Sequence, residues 1–318
     1  MLVIDIMMQE ECKQKLLNKI NFTIMAFSKG KEIKEQSFKR YCGVAPVRIL
    51  AVNPNKTQLK EIFPNAEFNE EPSYVTEVDV NGSKVKQVRI DFVVQTIAEK
   101  CGVDMISHLT YFINAVKRTN RDNTKIQIID SFGRTSWATV DEFKEHKIPV
   151  DRNGNPLNIN QDYRACYVGE EKLTNFIKTY LGIPNPVNYV NGVYVPKTGD
   201  ELEDCKCRFD NLDNTFKGDF SEVINTVALQ PNQIFKVLFG VRHTDNGDFQ
   251  TFYSDMIIKR NVNDYSRLEK DVKERQAAGS YPNTEFMLGQ SVSDIQEYVV
   301  TPTDLEEAKS DFEDNPWD

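Results

Sequence analysis

No nucleotide-binding or hydrolytic signature runs through this chain. It has no Walker-type loop, no GxGxxG after a strand, no HExxH and no GxSxG. Histidine is scarce: three in 318 residues, with His108, His146 and His243 far apart. The six cysteines (Cys12, Cys42, Cys101, Cys166, Cys205, Cys207) fit no zinc template, and only Cys205-x-Cys207 comes close, without a second pair. The expectation is no metal, no cofactor and no catalysis, with reduced thiols. No run approaches the ~20 apolar residues of a spanning helix, so no membrane is expected as a partner. With 15 glycines, 13 prolines and 27% charged residues, collagen and disulfide scaffolds are excluded. The N-terminus has Asp5 inside its apolar start and no basic lead-in, so it is a poor signal peptide. Met25 opens a second start-like stretch. Residues 1–24 read either as an added helical arm or as residues upstream of the true start.

Positive charge is also in deficit. There are 39 Lys+Arg against 48 Asp+Glu, a net charge of -9. On its face this argues against nucleic acid. The deficit is uneven, however. The last 18 residues hold seven acids and one base, so they carry -6 and leave -3 for the other 300. Lys29 to Arg40 is locally basic at +3, and Lys84 to Arg134 at +4. Charge runs are usually solvated faces, and that ordinary reading holds for either patch alone.

Alternating apolar residues predict strands at Tyr41–Val52, Tyr74–Val80, Lys84–Thr96, Met105–Val116, Thr124–Asp130 and Ser136–Val140. Asn81-Gly82 joins the second and third as a hairpin. Short helices are expected at Lys56–Phe63 and Asp219–Ala228. Longer ones are expected at Gly169–Leu181 and Asp264–Ala278. A second hairpin is expected over Gln233–His243 and Phe249–Arg260. Gly182–Gly199, rich in Pro, Asn and Gly, reads as an irregular connection. The fold class is mainly β with peripheral helices (α+β), in the cadence of a small barrel or sandwich. The expected organisation is a basic extension over 1–40, a β core over 41–182, a hairpin and helical layer over 183–279, and an extended acidic end over 280–318.

Basic residues interleave with aromatics in His108 to Arg121, Arg134 to Trp137 and Asp162 to Tyr167. Binding of single-stranded nucleic acid needs cations along the phosphates and flat side chains for unpaired bases, each stack contributing about 1–3 kcal/mol. Arg89, Lys117, Arg118, Arg121, Arg134 and Arg164 are the candidate phosphate path. Lys39 and Arg40 belong to the basic arm. Tyr111, Trp137, Tyr163 and Tyr167 are the candidate stacking platforms. Each also has a plainer reading. Tyr111 and Phe112 point to opposite faces, so one is core. A mid-strand Trp137 packs more often than it stacks. Tyr163 and Tyr167 are also placed to dock the following helix.

The chain ends Ser310-Asp-Phe-Glu-Asp-Asn-Pro-Trp-Asp318, an acidic peptide carrying Phe312 and Trp317. A frayed terminus explains the acids but not the tryptophan, which is usually kept for a partner. This end resembles the tails of bacterial and phage single-stranded DNA-binding proteins. The stretches Phe38–Pro54, Ile126–Thr139 and Asp162–Pro184 resemble a family of single-stranded DNA-binding proteins of crAss-like tailed phages. That resemblance covers roughly Met25 to Pro184 plus the tail. It implies an OB-like barrel with insertions that binds single-stranded DNA in phage replication, recombination and repair, within the cytoplasm of the infected bacterial host. Asp311, Phe312, Glu313, Asp314 and Trp317 would recruit a polymerase, primase or helicase, and the basic arm would support self-association along DNA. Two other readings compete: a phage structural or virion-packaged interaction protein, and a metal-dependent nuclease built on Asp91, Asp104 and Asp130.

Overall fold

Alternation along two long neighbouring strands divides this protein into two faces. The structure is a computed structural model that describes residues 37–39, 41–80, 82–98, 104–157, 162–288 and 297–299. Its strands are β1 (Ser37–Lys39), β2 (Gly43–Val52), β3 (Val75–Val80), β4 (Ser83–Thr96), β5 (Ile106–Lys117), β6 (Lys125–Asp130), β7 (Thr135–Thr139) and β8 (Tyr163–Ala165). They continue with β9 (Tyr167–Val168), β10 (Val187–Val190), β11 (Val193–Pro196), β12 (Ile234–Thr244), β13 (Gly247–Phe252), β14 (Ile258–Lys259), β15 (Thr284–Phe286) and β16 (Glu297–Val299). The helices are α1 (Lys56–Ile62), α2 (Val140–Lys144), α3 (Glu170–Leu181), α4 (Asp200–Glu203), α5 (Leu212–Thr215), α6 (Ser221–Ala228) and α7 (Ser266–Ala277).

The main sheet is antiparallel and has nine strands, in the order β13-β12-β2-β4-β5-β9, with β14 and β15 also on β12 and β3 also on β4. Strand outweighs helix, as the sequence implied. The expected barrel is not formed: the sheet is open, because β13 and the two-residue β9 end it without pairing to each other. A smaller sheet, β7-β6-β8, abuts the β5 end, where Arg118 N–H bonds the Cys166 carbonyl and Gln127 N–H bonds the Arg118 carbonyl.

The β4–β5 register explains the two faces. Val88 lies opposite Ile113, Ile90 opposite Tyr111 and Phe92 opposite Leu109. All six are buried in the main core. The alternate rungs are Gln87–Asn114, Arg89–Phe112, Asp91–Thr110, Val93–His108 and Gln95–Ile106. The inner face is covered by α3 through Leu173, Phe176, Ile177 and Tyr180, and by the segment from Cys207 to Val227. On the outer face, α1 covers Val93 and Ile106 with Leu59 and Phe63, and α7 covers Leu238 with Leu268 and Val272. Each such apolar side chain contributes about 1.5–3 kcal/mol on burial.

Asn53 directly follows β2 and sits at the gap between β2 and β3, which lie end to end along β4. Its φ is 42°; its N–H donates to the Asp91 carbonyl, while its side-chain amide donates to the Arg89 carbonyl and accepts the Asp91 N–H. Its carboxamide therefore replaces the missing rung of a strand. The helix α3 has apolar residues at the spacing of one helical face and stops at Gly182, whose φ is 70°. The Ile183 N–H bonds Lys178 and the Gly182 N–H bonds Thr179, a Schellman closure.

The region read as an irregular connection is different. Val187–Val190 and Val193–Pro196 form a hairpin about Asn191-Gly192, with φ values of 49° and 84°. Asn-Gly is the strongest short hairpin signal, and the surrounding prolines masked it.

Candidate nucleic-acid interface

The adjacent pair Tyr111 and Phe112 is divided by the pleat of β5. Tyr111 is 3% exposed and lies in an aromatic cluster, with ring centroids 5.2 Å from Phe176 and 5.9 Å from both Phe92 and Phe252. Its hydroxyl has no hydrogen-bond partner among the described residues. Burial holds its pKa well above the ordinary tyrosine value. Tyr111 is therefore core, and it cannot stack on a base. Phe112 faces the other way and is 42% exposed. It stands opposite Arg89, whose guanidinium lies 5.0 Å from the centre of the Tyr74 ring. This ring contact holds the cation within cation–π range.

Tyr163 and Tyr167 are also core. Tyr163 is 4% exposed, stacks on His146 at 4.5 Å and shares its single hydroxyl hydrogen between the Lys147 and Glu142 carbonyls. Tyr167 is 8% exposed, packs edge-on against Phe216 and bonds Asp213. Neither presents a face to a ligand. Tyr167 joins the core that α3 covers, whereas Tyr163 packs against Phe143 and His146 rather than docking the following helix.

Two of the predicted phosphate contacts are committed to buried carboxylates. Arg134 donates through Nε (3.1 Å) and Nη2 (2.9 Å) to one oxygen of fully buried Asp130. The other Asp130 oxygen accepts the Phe132 and Arg134 N–H groups and sets the turn between β6 and β7. In that turn Gly133 has φ 66°, and a Cβ there would lie 2.3 Å from the Cys207 carbonyl. Arg164 grips fully buried Glu170 with both Nη atoms, at 2.5 and 3.0 Å, and also bonds the Phe209 carbonyl. These forked pairs are structural. Sequence spacing could not reveal them, because Glu170 and Asp130 read as ordinary acids in a helix start and a turn.

The remaining basic residues stay near the surface. Arg121 and Lys125 are exposed. Lys117 is exposed, with its Nζ 3.1 Å from the Tyr167 ring centre. Partial burial and the neighbouring Arg164 lower its pKa. Arg118 reaches Glu171 at 3.2 Å and lies 5.8 Å from the half-buried Trp137 ring. Glu171 also accepts from Gln127 and Thr135, so this carboxylate holds the Arg118–Trp137 corner. Lys39 lies in β1. Arg40 lies outside the described residues, as do Asp311, Phe312, Glu313, Asp314 and Trp317.

These groups are connected along β5. From Phe112 to Arg118 is six residues, or about 20 Å of strand at 3.3 Å per residue. Between them Gly169, φ 88°, approaches so closely that a Cβ would sit 1.9 Å from the Phe112 carbonyl oxygen. Gly169 thus brings Glu170 and Glu171 against this edge. Phe112 beside Arg89 lies at one end of this strip of chain and Trp137 beside Arg118 at the other, with a register shift of β5 between Asn114 and Lys117 separating them; Lys117, Arg121 and Lys125 are its exposed bases. Phe112 and Lys125 were missed from sequence. The signal for Phe112 was present in Leu109-x-Tyr111-x-Ile113, whose apolar alternation assigns Tyr111 to the core.

Asp91, Asp104 and Asp130 do not form a common carboxylate group. Asp91 bonds His108 (2.8 Å) and Thr110 (3.0 Å), Asp104 accepts from Gln95, and Asp130 is held by Arg134. Among the described residues no His, Cys, Asp or Glu cluster of metal-binding kind occurs, and no helix is long and apolar enough to cross a membrane. The chain matches no protein-family model, no curated protein and no solved structure.

Proposed function

We propose that this protein binds single-stranded DNA without sequence preference, in phage DNA replication, recombination and repair in the host cytoplasm. The observation that carries this reading is the Arg89–Phe112 rung, a cation and an open aromatic ring side by side on the sheet face turned away from the main core. Arg118 and Trp137 repeat that pairing at the far end of β5. Bases would stack on Phe112 and Trp137, while Arg89, Arg121 and Lys125 follow the phosphates. Non-specific binding needs no base-edge readout, only stacking and charge. The acidic C-terminal peptide, with Phe312 and Trp317, would recruit replication proteins and compete with DNA for the basic strip.

The test is fluorescence anisotropy with labelled oligo-dT at low and moderate salt, on the full chain and on a chain ending at Lys309. The full chain binds, and binding weakens steeply with salt. The shortened chain binds more tightly and no longer captures its replication partner. Equal affinity of the two chains would remove the competition idea. A full chain that binds no oligonucleotide would instead be a phage structural or virion-packaged interaction protein.

A further inference from the structure

The outer face of β4 and β5 continues past the Arg89–Phe112 rung. Phe112, Thr110 and His108 follow one another at two-residue steps on that face of β5, and Asp91 and Val93 stand opposite the last two on β4. His108 lies four residues from Phe112, or about 13 Å of strand at 3.3 Å per residue. Beyond it the face is covered by α1, whose Phe63 ring lies nearly parallel to the imidazole, with 6.1 Å between centroids and 12° between planes.

The imidazole is anchored through one nitrogen. Its Nδ1 lies 2.8 Å from one oxygen of buried Asp91, and the other Asp91 oxygen accepts the Thr110 hydroxyl at 3.0 Å. Both carboxylate oxygens and the threonine proton are thereby committed. The opposite ring nitrogen, Nε2, bonds no described residue and is not enclosed, and the side chain is 20% exposed. An imidazole that donates from Nδ1 to a carboxylate has two forms of opposite character at Nε2: a lone pair when neutral and an N–H when protonated. Only the N–H suits a phosphate oxygen, and the Asp91 carboxylate supplies the opposite charge behind the ring.

Few other charges face this ring. Asp91 touches it from β4, and Arg89 is the cation whose charge reaches that carboxylate. Tyr74, which carries the Arg89 guanidinium over its ring, is kept a neutral phenol by burial and by Asp91. The helix α1 presents the apolar Phe63 ring.

We infer that His108 is a phosphate contact of the single-strand site, and that DNA binding there takes up a proton at Nε2. This rests on the reading of the Arg89–Phe112 rung as that site. The bound arrangement is an imidazolium between Asp91 and a phosphate, so its contribution is present at low pH and is lost as pH rises through the bound-state midpoint. A histidine that serves only to satisfy Asp91 has no such coupling between its proton and DNA.

The test measures affinity for labelled oligo-dT from near pH 8 to near pH 6 at constant salt. It compares the full chain with His108→Gln, which keeps an amide to bond Asp91 and cannot take up a proton. Across this range the wild-type chain gains over the variant by about tenfold, the size of one charge-assisted hydrogen bond. NMR of His108 in the wild-type chain reads the same linkage without a substitution: its titration midpoint rises when oligo-dT is bound. Parallel pH profiles of the two chains, or a midpoint that oligo-dT leaves unmoved, overturn the inference. So does a wild-type chain that loses affinity relative to the variant as pH falls, which would make Nε2 an acceptor for a base N–H. If Phe112→Ala weakens binding in any of these cases, the single-strand site stands without His108. A chain that binds no oligonucleotide at either pH overturns both.

Discussion

Arg89 and Phe112 lie directly opposite one another across β4 and β5, on the face of the sheet turned away from the main core. One residue earlier in the chain, Tyr111 packs into that core. Two adjacent aromatics thus have opposite fates, and substitutions separate them.

Phe112→Ala should weaken oligo-dT binding by about 1–3 kcal/mol, the contribution of one stacked base. It should leave stability within about 0.5 kcal/mol, as expected for a surface position. Tyr111→Ala should do the reverse, destabilising by about 3–5 kcal/mol through loss of a buried ring. Oligonucleotide titration and urea unfolding on both variants check this. Equal binding by Phe112→Ala and the wild-type chain would remove the stacking role.

The arginines divide in the same way. Arg121→Ala should reduce the slope of log K against log salt by about 0.7 on a single strand, the value for one lost phosphate contact. Arg164→Ala should instead leave Glu170 buried without its partner and cost about 3–5 kcal/mol of stability. Salt titrations and denaturant melts distinguish the two. A stable Arg164→Ala chain with a reduced salt slope would show Arg164 to be a DNA contact after all.

Two histidine–carboxylate contacts should respond to pH in opposite directions. His243 bonds Asp248 at 2.6 Å and lies 3.6 Å from Glu285, and these carboxylates raise its pKa above 6.5. Its folded value is raised, so its contribution is fully present below pH 6.5 and is lost as pH rises through the folded value. At Asp91, burial acts to raise the pKa, but bonds from His108 and Thr110 and the charge of Arg89 prevail and lower it. Its contribution is present above the unfolded value near 3.8 and is lost as pH falls through the folded one. NMR titration should give a His243 midpoint above 6.5, returning toward 6.5 in Asp248→Asn. A midpoint at or below 6.5 in the wild-type chain would contradict the assignment.

The buried thiols of Cys166 and Cys207, and the half-buried thiol of Cys42, should be slow to react. Burial pushes the Cys42 and Cys207 thiols up to about 11 and that of Cys166 higher still, so little thiolate is present at neutral pH. Alkylation with iodoacetamide near pH 8, mapped by mass spectrometry, should label these three only after unfolding. Rapid labelling of Cys166 in the native chain would contradict its burial.

Local chemistry determined a great deal of this protein from sequence alone. Period-two alternation located β2 to β7, and helical spacing located α3 and α7, because each depends on residues a few positions apart. The same alternation required Tyr111 and Phe112 to face opposite ways. The apolar run Leu109-x-Tyr111-x-Ile113 puts Tyr111 on the core side, but only the tertiary structure decided what covers it, α3 arriving from some sixty residues later in the chain. It also decided which cations remain available. Arg134 and Arg164 resemble Arg121 in sequence, yet the fold gives the first two a buried carboxylate each and leaves Arg121 in solvent. A charge count cannot foresee that difference, because a carboxylate without water must take a cation from whatever the fold brings beside it.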